Sequence, residues 1–150
     1  MGLYHSEQYG SFLKEVLRVF GAAIVTTTRE VTKTAKLGKF TIRKGDTILA
    51  PNVLKHFDSR LFRDPYHFDI NRFKKDNPTH NSINPADYAP FGRGNRSCLG
   101  QHLASIVLSS IFAELVIRYE LQEDLDSECQ LTTRVAYGIE KCSVKMRMRK

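Results

Sequence analysis

The segment Pro90–Gly100, with the sequence PFGRGNRSCLG, has the residue types and spacing that most clearly suggest chemistry. It places one cysteine, Cys98, among three glycines and two arginines, directly before a run of apolar residues with helical spacing. A lone cysteine is usually a small buried hydrophobe. Here the glycines allow positive φ angles and let the backbone lie close to a planar group, because there is no Cβ to collide with it. The segment therefore suggests a loop that brings backbone close to something flat and negatively charged.

Cys98 and Arg96 carry the functional groups of this loop. A cysteine at the start of a helix lies near unpaired N–H groups and the positive end of the helix dipole, which favour thiolate over thiol. A thiolate is a good soft ligand for one coordination position of a metal ion. No His, Asp or Glu lies within ligand spacing of Cys98, so the other ligands must come from elsewhere. A macrocycle with four nitrogens would supply them, and its carboxylates would suit the planar guanidinium of Arg96.

The spacing of this loop resembles the heme-binding segment of the cytochrome P450 family of heme-thiolate monooxygenases. The identities that match lie within ten residues: Phe91, Gly94, Arg96, Cys98 and Gly100. Ala104, six residues after the cysteine, also fits, whereas Val107 stands where the family often has a glutamate. The resemblance implies that the cofactor is heme, that Cys98 ligates its iron, and that the other matching residues surround it.

The helix expected to support this loop lies near the start of the chain. Apolar residues recur at helical spacing in residues 11–20, SFLKEVLRVF. Ser11 is the predicted N-cap, and Gly10 is an equal alternative for opening the first turn. This segment contains Glu15-x-x-Arg18, which is similar to the family's ExxR helix, and the later FDINRF contains Arg72 at the position of a family arginine. By this similarity, the three charged residues form a buried network that braces the loop without taking part in the chemistry.

Further positions between the helix and the loop also match the family. Arg29 corresponds to a strand arginine that usually meets a heme propionate, and Gly21 replaces a proline that commonly follows the ExxR helix. His56 fits a family histidine in an HxD pattern, and we expect a capping or packing role for it. The residues before Arg29 match a segment that lines the substrate pocket: Ala23, Ile24, Val25, Thr26 and Thr27.

The remaining patterns predict a mixture of short elements. Residues 22–31 are typical of a strand, and residues 36–52 of a hairpin with turns at Gly38 and Gly45. Residues 52–64 suit one or two short helices. The many prolines of residues 65–90 predict a long irregular connection, which is usually functional in a compact domain.

The C-terminal part of the chain predicts one long helix followed by strands. Residues 98–121 have an apolar stripe at helical spacing, wide enough to suggest burial on more than one side. Residues 131–150 predict two strands around Gly138. These elements do not make an obvious layered domain. We therefore expect an α+β chain, mainly α with small β-sheets.

Residues 1–150 are expected to form a partial domain, the C-terminal, proximal half of a cytochrome P450 fold. The resemblance runs from Ser11 to the last strand. The family's central helix, with its acid–Thr pair, and the distal wall of the pocket precede the ExxR helix and are expected to be missing. We therefore expect this chain alone to retain heme weakly or not at all.

The composition narrows the cellular environments and the partners expected for this protein. Three widely spaced cysteines suggest neither a zinc site nor a disulfide framework and favour an intracellular, reducing environment. We expect no membrane span, because no apolar stretch approaches about 18 residues, and membrane association would require a preceding N-terminal anchor. The net charge is +7, from 23 Lys+Arg against 16 Asp+Glu, but no nucleic-acid motif accompanies it, so nucleic acid is not an expected partner.

The resemblance implies an oxidoreductase that inserts one atom of dioxygen into a small organic substrate. Its electrons would come from a flavoprotein reductase or a ferredoxin. A basic surface is expected to attract that partner and comprises Arg60, Arg63, Lys74, Lys75 and Arg93. Two alternatives stay open: a heme-thiolate enzyme that rearranges peroxides, and a truncated, catalytically silent remnant.

Overall fold

Three α-helices and eight short strands form the regular structure of residues 6–21, 28–78, 83–124, 130–133 and 137–149, which the computed structural model describes. The helices are α1 (Glu7–Val19), α2 (Asn52–His56) and α3 (Gln101–Arg118). The strands are β1 (Arg29–Glu30), β2 (Ala35–Leu37), β3 (Phe40–Ile42), β4 (Thr47–Ile48), β5 (Tyr119–Glu123), β6 (Gln130–Thr133), β7 (Tyr137–Lys141) and β8 (Val144–Met148). This mixture of helices and small sheets agrees with the predicted α+β class.

Helix α1 begins one turn earlier than predicted. Its N-cap is Ser6, whose hydroxyl accepts a hydrogen bond from the N–H of Tyr9 at 3.2 Å. The predicted cap, Ser11, lies inside the helix and is buried. Its hydroxyl accepts a hydrogen bond from the N–H of Phe73 at 3.0 Å. The predicted N-cap is therefore wrong, because Ser11 serves a contact with a distant part of the chain.

The most deeply buried face of α1 is polar. Ser11, Glu15 and Arg18 are all buried, whereas Phe20, on the predicted apolar side, is 55% exposed. Phe12 stacks on Phe112 of α3 with ring centroids 4.6 Å apart, so an aromatic contact joins the two long helices. Helix α1 therefore packs through two faces, one aromatic and one charged.

The turn after α1 requires a residue without a Cβ. A Cβ added at Gly21 would lie 2.8 Å from the carbonyl oxygen of Leu17, which is closer than such atoms approach in proteins. Proline, the common family residue at this position, carries a Cβ and would meet the same oxygen. The absence of a Cβ at Gly21 therefore allows the backbone to turn where α1 ends.

We expect the Gly21→Ala substitution to destabilise the protein by about 1–3 kcal/mol, because the carbonyl of Leu17 must move. A matched control is Gly10→Ala, since an added Cβ at Gly10, inside α1, has no atom within 4 Å. That change should instead stabilise the protein by about 0.5–1 kcal/mol. Chemical denaturation of both variants measures the difference, and equal shifts for the two variants would contradict the steric argument.

The strands pair as four separate two-stranded antiparallel ladders, β1 with β4, β2 with β3, β5 with β8, and β6 with β7. The predicted hairpin is confirmed at Gly38, where Leu37 pairs with Phe40 and the glycine takes a φ of +57° in the turn. Gly45 also has a positive φ, +89°, but β4 after it pairs with β1, so residues 36–52 do not form one hairpin. The prediction of two strands around Gly138 is wrong. Gly138 lies within β7 opposite Thr132, since a glycine inside a strand does not by itself make a turn, and β8 is an additional strand.

Helix α3 is apolar on several sides and largely exposed. Ala113 is its buried residue, while Leu103, Ile106 and Ile117 are between 61% and 67% exposed. The expectation that its sides are buried is not met within the described part of the chain.

By length and composition alone this helix could cross a membrane. The prediction that no apolar stretch approaches that length is wrong, because the polar residues interrupting the helix are too few.

The chain between α2 and the cysteine loop is irregular, as predicted. Its described residues, 57–78 and 83–93, contain no helix or strand. Hydrogen bonds to α1 hold this segment, including the one from Phe73 to Ser11. The irregular segment therefore depends on α1 for its position.

Candidate cofactor-binding site

Two glycines in left-handed conformations shape the loop that carries the cysteine. Gly92 has a φ of +74° and Gly94 a φ of +69°, values that favour glycine. A single 3₁₀ turn, Gly94–Arg96, follows. The N–H of Cys98 then donates a hydrogen bond to the carbonyl of Phe91 at 2.8 Å, which closes the loop. The position of the sulfur is thus set by backbone conformation rather than by packing.

The start of α3 differs from the prediction in two ways. The helix begins at Gln101 with Gly100 as N-cap, so Cys98 precedes it instead of opening it. Gly100 has a φ of −85°, so it does not supply the positive φ that we expected of it. A Cβ added there would lie 4.0 Å from the Cys98 sulfur, an ordinary contact. The N–H of Ala104 donates to the carbonyl of Gly100 at 2.8 Å in the first turn.

The thiol lies beside an exposed apolar surface. Cys98 is exposed, and Leu99 is fully so. Leu103 and Ile106, three residues apart on α3, share one side of the helix, which begins two residues after Leu99. A surface of this kind beside a soft ligand atom fits one face of a flat apolar group that binds a metal ion. In the described residues no cluster of three His, Cys, Asp or Glu side chains competes for that role.

Two arginines of the site have exposed side chains. Arg96 and Arg29 are both exposed, and neither makes an ion pair within the described residues. Among the described residues, the Arg29 guanidinium donates to the neighbouring carbonyl of Thr28, at 3.4 Å. Both guanidinium groups are therefore available to carboxylates of a bound group. Phe91 and Ala104 are half-buried.

A buried charged network joins α1 to the irregular segment. Arg18 donates to both carboxylate oxygens of Glu15 at 2.8 Å, and Nε of Arg72 donates to both at 3.1 Å. The N–H of Asp69 adds a bond to Oε1 at 3.0 Å. Glu15 and Arg18 are 0% exposed and Arg72 is 3% exposed. The structure thus brings together the three charged residues named from the sequence.

The other guanidinium donors of this network bind backbone carbonyls. Arg18 reaches the carbonyl of His56 at 2.7 Å, and Arg72 reaches those of Arg63 at 2.5 Å and His67 at 2.9 Å. Irregular chain has many carbonyl groups without a partner in a helix or sheet, and buried ones need donors. The two arginines supply them.

Sequence reasoning missed the backbone partners of the network and the contacts of α2. Asn52 donates from Nδ2 to the carbonyl of Ala89 at 3.2 Å, and Lys55 forms an ion pair with Asp87 at 2.9 Å. No local pattern marks these contacts, because the partners are more than thirty residues apart. The predicted substrate-pocket residues, 23–27, lie outside the described residues.

Comparisons with known proteins agree on one family. Residues 10–146 match the family model described as cytochrome P450. "Probable cytochrome P450 4s3" of Drosophila melanogaster is 30% identical over 131 residues, covering 85% of this chain and 26% of that protein. "Cytochrome P450 4e5, mitochondrial" of Drosophila mettleri is 29% identical over 141 residues, covering 91% and 26%. The chain spans about a quarter of the length of these curated relatives.

A solved structure has the same fold over most of the chain. "Retinoic acid bound cyanobacterial CYP120A1" matches with a TM-score of 0.87 and 24% sequence identity. The match covers 95% of this chain and 32% of that one. At this identity the likeness concerns the fold alone.

Proposed function

Because this chain belongs to the cytochrome P450 family, whose cofactor is heme, we propose that it is the heme-proximal part of a heme-thiolate monooxygenase and that Cys98 is the iron ligand. The single observation that best supports the proposal is the exposed thiol at the end of a closed glycine loop, beside the exposed apolar surface of α3. When bound, heme supplies the activation of dioxygen for insertion of one oxygen atom into an organic substrate. The chain's own residues bind and orient it.

Each predicted site residue has a role in this proposal. Cys98 binds the iron as thiolate, and the exposed guanidinium groups of Arg96 and Arg29 hold the carboxylates. The remaining residues let the ring lie close to the backbone or pack against it: Phe91, Gly94, Gly100 and Ala104. By their match to the family, residues 23–27 line the substrate pocket.

The network of Glu15, Arg18 and Arg72 braces the proximal side. It ties α1 to the irregular segment by hydrogen bonds between buried groups, so the segment leading to the loop cannot shift without unpairing a charge. Its proposed role is therefore to position the loop, and it does not contact reacting atoms.

We also propose that residues 1–150 are one portion of a larger domain. Large apolar side chains on α3 are exposed, and monomeric soluble proteins rarely expose contiguous apolar surface of this kind. Such a surface suits contact with the heme and with the rest of the fold.

An intracellular location is also proposed, because the cysteine usage favours a reducing environment, and it agrees with the name of the mitochondrial relative.

The experiment that tests this function uses the full-length polypeptide that carries the chain. We expect purified protein to contain one heme and to give a thiolate-type ferrous–CO absorption spectrum. With a redox partner and dioxygen it should oxidise an organic substrate, whereas turnover of organic peroxides without a partner would instead identify the peroxide-rearranging alternative. A histidine-type spectrum, or folded protein with no heme, would contradict the proposal.

The proposed electron donor docks on basic side chains. Arg60 forms an ion pair with Asp58, and Arg63 lies 3.5 Å from a carboxylate oxygen of Asp64, so these charges are partly balanced. Arg93 is exposed and its guanidinium donates to the carbonyl of Pro85, which leaves its charge uncompensated by a carboxylate within the described residues. Arg93 is therefore the clearest member of the set to test.

We expect the Arg93→Glu substitution to slow the first electron transfer about tenfold at low salt, because it repels an acidic donor. Stopped-flow reduction under CO measures that rate. The matched control is Lys36→Glu, the same charge reversal at an exposed residue of the β2–β3 hairpin. An unchanged reduction rate in the Arg93 variant, or an equal loss in both variants, would count against this surface.

A further inference from the structure

The peptide groups of Ala89 are held by side chains from both ends of α2. Ala89 is buried and immediately precedes the cysteine loop. Its N–H donates to Nε2 of His56 at 3.2 Å, and its carbonyl accepts from Nδ2 of Asn52 at 3.2 Å. Asn52 and His56 are the first and last residues of α2 and, at i and i+4, share one face of it. The single turn of α2 thus holds the backbone of Ala89 by two hydrogen bonds, directly before the cysteine loop.

Backbone partners determine the protonation of His56. Its Nδ1 lies 3.2 Å from the carbonyl of Arg18, which only accepts, so Nδ1 carries the hydrogen. The N–H of Ala89 only donates, so Nε2 must be bare. The imidazole is 2% exposed. The site therefore holds the neutral Nδ1–H tautomer.

The surroundings of His56 disfavour the imidazolium ion. Burial lowers the pKa of His56 below its ordinary value, the hydrogen bond to Arg18 opposes this, and the charges of Arg18 and Lys55 lower it further. Arg18 comes from α1, where it pairs with Glu15, and Lys55 from α2, where it pairs with Asp87. From the segment before the loop, the ring of Tyr88 stacks on the imidazole with centroids 5.6 Å apart.

Backbone hydrogen bonds connect Ala89 to the cysteine loop. Its carbonyl also accepts from the N–H of Gly92 at 3.1 Å, the residue that begins the left-handed turn. The carbonyl of Phe91 accepts from the N–H of Cys98 at 2.8 Å. If Ala89 shifts, the acceptor that holds the Cys98 amide shifts with it.

We infer that His56, as the neutral Nδ1–H tautomer, is a positioning residue that anchors the entrance of the cysteine loop at Ala89, together with Asn52, and so holds the sulfur of Cys98 in place. The inference rests on the proposed role of Cys98 as the iron ligand. Protonation of Nε2 would set two donors, the ring N–H and the Ala89 N–H, against each other. The anchor would then be lost, so acid would release the loop.

Two amide variants of His56 in the heme-loaded full-length protein test the anchor. The side-chain nitrogen of asparagine overlies Nδ1, so His56→Asn keeps the bond to Arg18 and loses the acceptor for Ala89. The oxygen of glutamine reaches the position of Nε2, so His56→Gln keeps that acceptor and does not titrate. The two side chains have the same functional group, which makes them a matched pair.

We expect the Ala89 amide to exchange hydrogen about tenfold faster in His56→Asn than in the wild type, and near the wild-type rate in His56→Gln. The thiolate-type ferrous–CO spectrum should decay about tenfold faster in the asparagine variant. On acidification the wild type should lose this spectrum as the pH falls through the lowered pKa of His56. The glutamine variant should keep the spectrum to lower pH. Identical exchange, decay and acid profiles in the two variants would overturn the inference.

A second variant covers the case in which His56→Asn does not fold. Asn52→Ala weakens the same anchor from the carbonyl side, and it should likewise speed exchange at Ala89. Unchanged exchange in that variant would overturn the contribution of Asn52. A wild-type protein without a thiolate-type spectrum would refute the proposed function, while hydrogen exchange at Ala89 would still test the anchor.

Discussion

Replacing Cys98 with alanine in the full-length polypeptide is expected to abolish the thiolate-type ferrous–CO spectrum and substrate oxidation completely. A thiolate occupies the one coordination position that this chain offers the iron in our proposal, and a methyl group has no lone pair to donate. The backbone bond from Cys98 to Phe91 does not involve the side chain, so the loop should keep its shape. Absorption spectroscopy of the reduced, CO-treated protein measures the loss.

The controls for Cys98 are the other two cysteines. Cys142 is also exposed, and Cys142→Ala leaves the loop untouched. Cys129 lies outside the described residues, so Cys129→Ala completes the comparison. Both variants should retain the wild-type spectrum. A thiolate-type spectrum that persists in Cys98→Ala and disappears in either control would assign the ligand elsewhere.

The second large effect is expected at Glu15, where substitution by alanine should cost about 3–5 kcal/mol of folding free energy or prevent folding. The change leaves the guanidinium groups of Arg18 and Arg72 buried without the carboxylate that both contact. Denaturant unfolding measures this cost. A matched control is Glu120→Ala, which removes a glutamate whose ion pair with Arg147 is largely exposed. That variant should lose less than about 1 kcal/mol.

The contribution of Glu15 should also depend on pH. Burial alone would raise its pKa, but hydrogen bonds from Arg18 and the Asp69 N–H, with the charges of Arg18 and Arg72, lower it below the ordinary value of 4.5. A lowered carboxyl pKa stabilises the fold above the ordinary value, and the stabilisation is lost as the pH falls through the lowered one. The free-energy difference between wild type and Glu15→Gln should therefore shrink below about pH 4.5. A difference independent of pH would contradict the paired carboxylate.

The features that local sequence patterns predicted correctly depend on neighbouring residues. The turn at Gly38 follows from local geometry, since φ is restricted by the residue's own side chain. The same reasoning explains the left-handed Gly92 and Gly94 of the cysteine loop. The i,i+3 spacing of Glu15 and Arg18 likewise places both side chains on one helix face without reference to the rest of the chain.

The features predicted wrongly depend on distant partners. Ser6 and Ser11 are both residue types that cap helices. In the folded chain Ser6 is the cap, whereas the Ser11 hydroxyl accepts a hydrogen bond from the Phe73 amide, 62 residues away. The apolar pattern of α3 predicted burial, yet a pattern does not supply the surface that would cover it.

The sequence by itself determined the loop that presents Cys98 and the helix that carries Glu15 and Arg18, because glycine conformations and helix spacing act over a few residues. The spacing of these same residues also indicated the family. The resemblance to the family also indicated that Arg72 meets Glu15, 57 residues away. Only the tertiary structure decided that His56 and Asn52 hold the backbone of Ala89. Hydrogen bonds between distant residues follow from the path of the folded chain. Burial makes them obligatory, since an unpaired polar group away from water is costly.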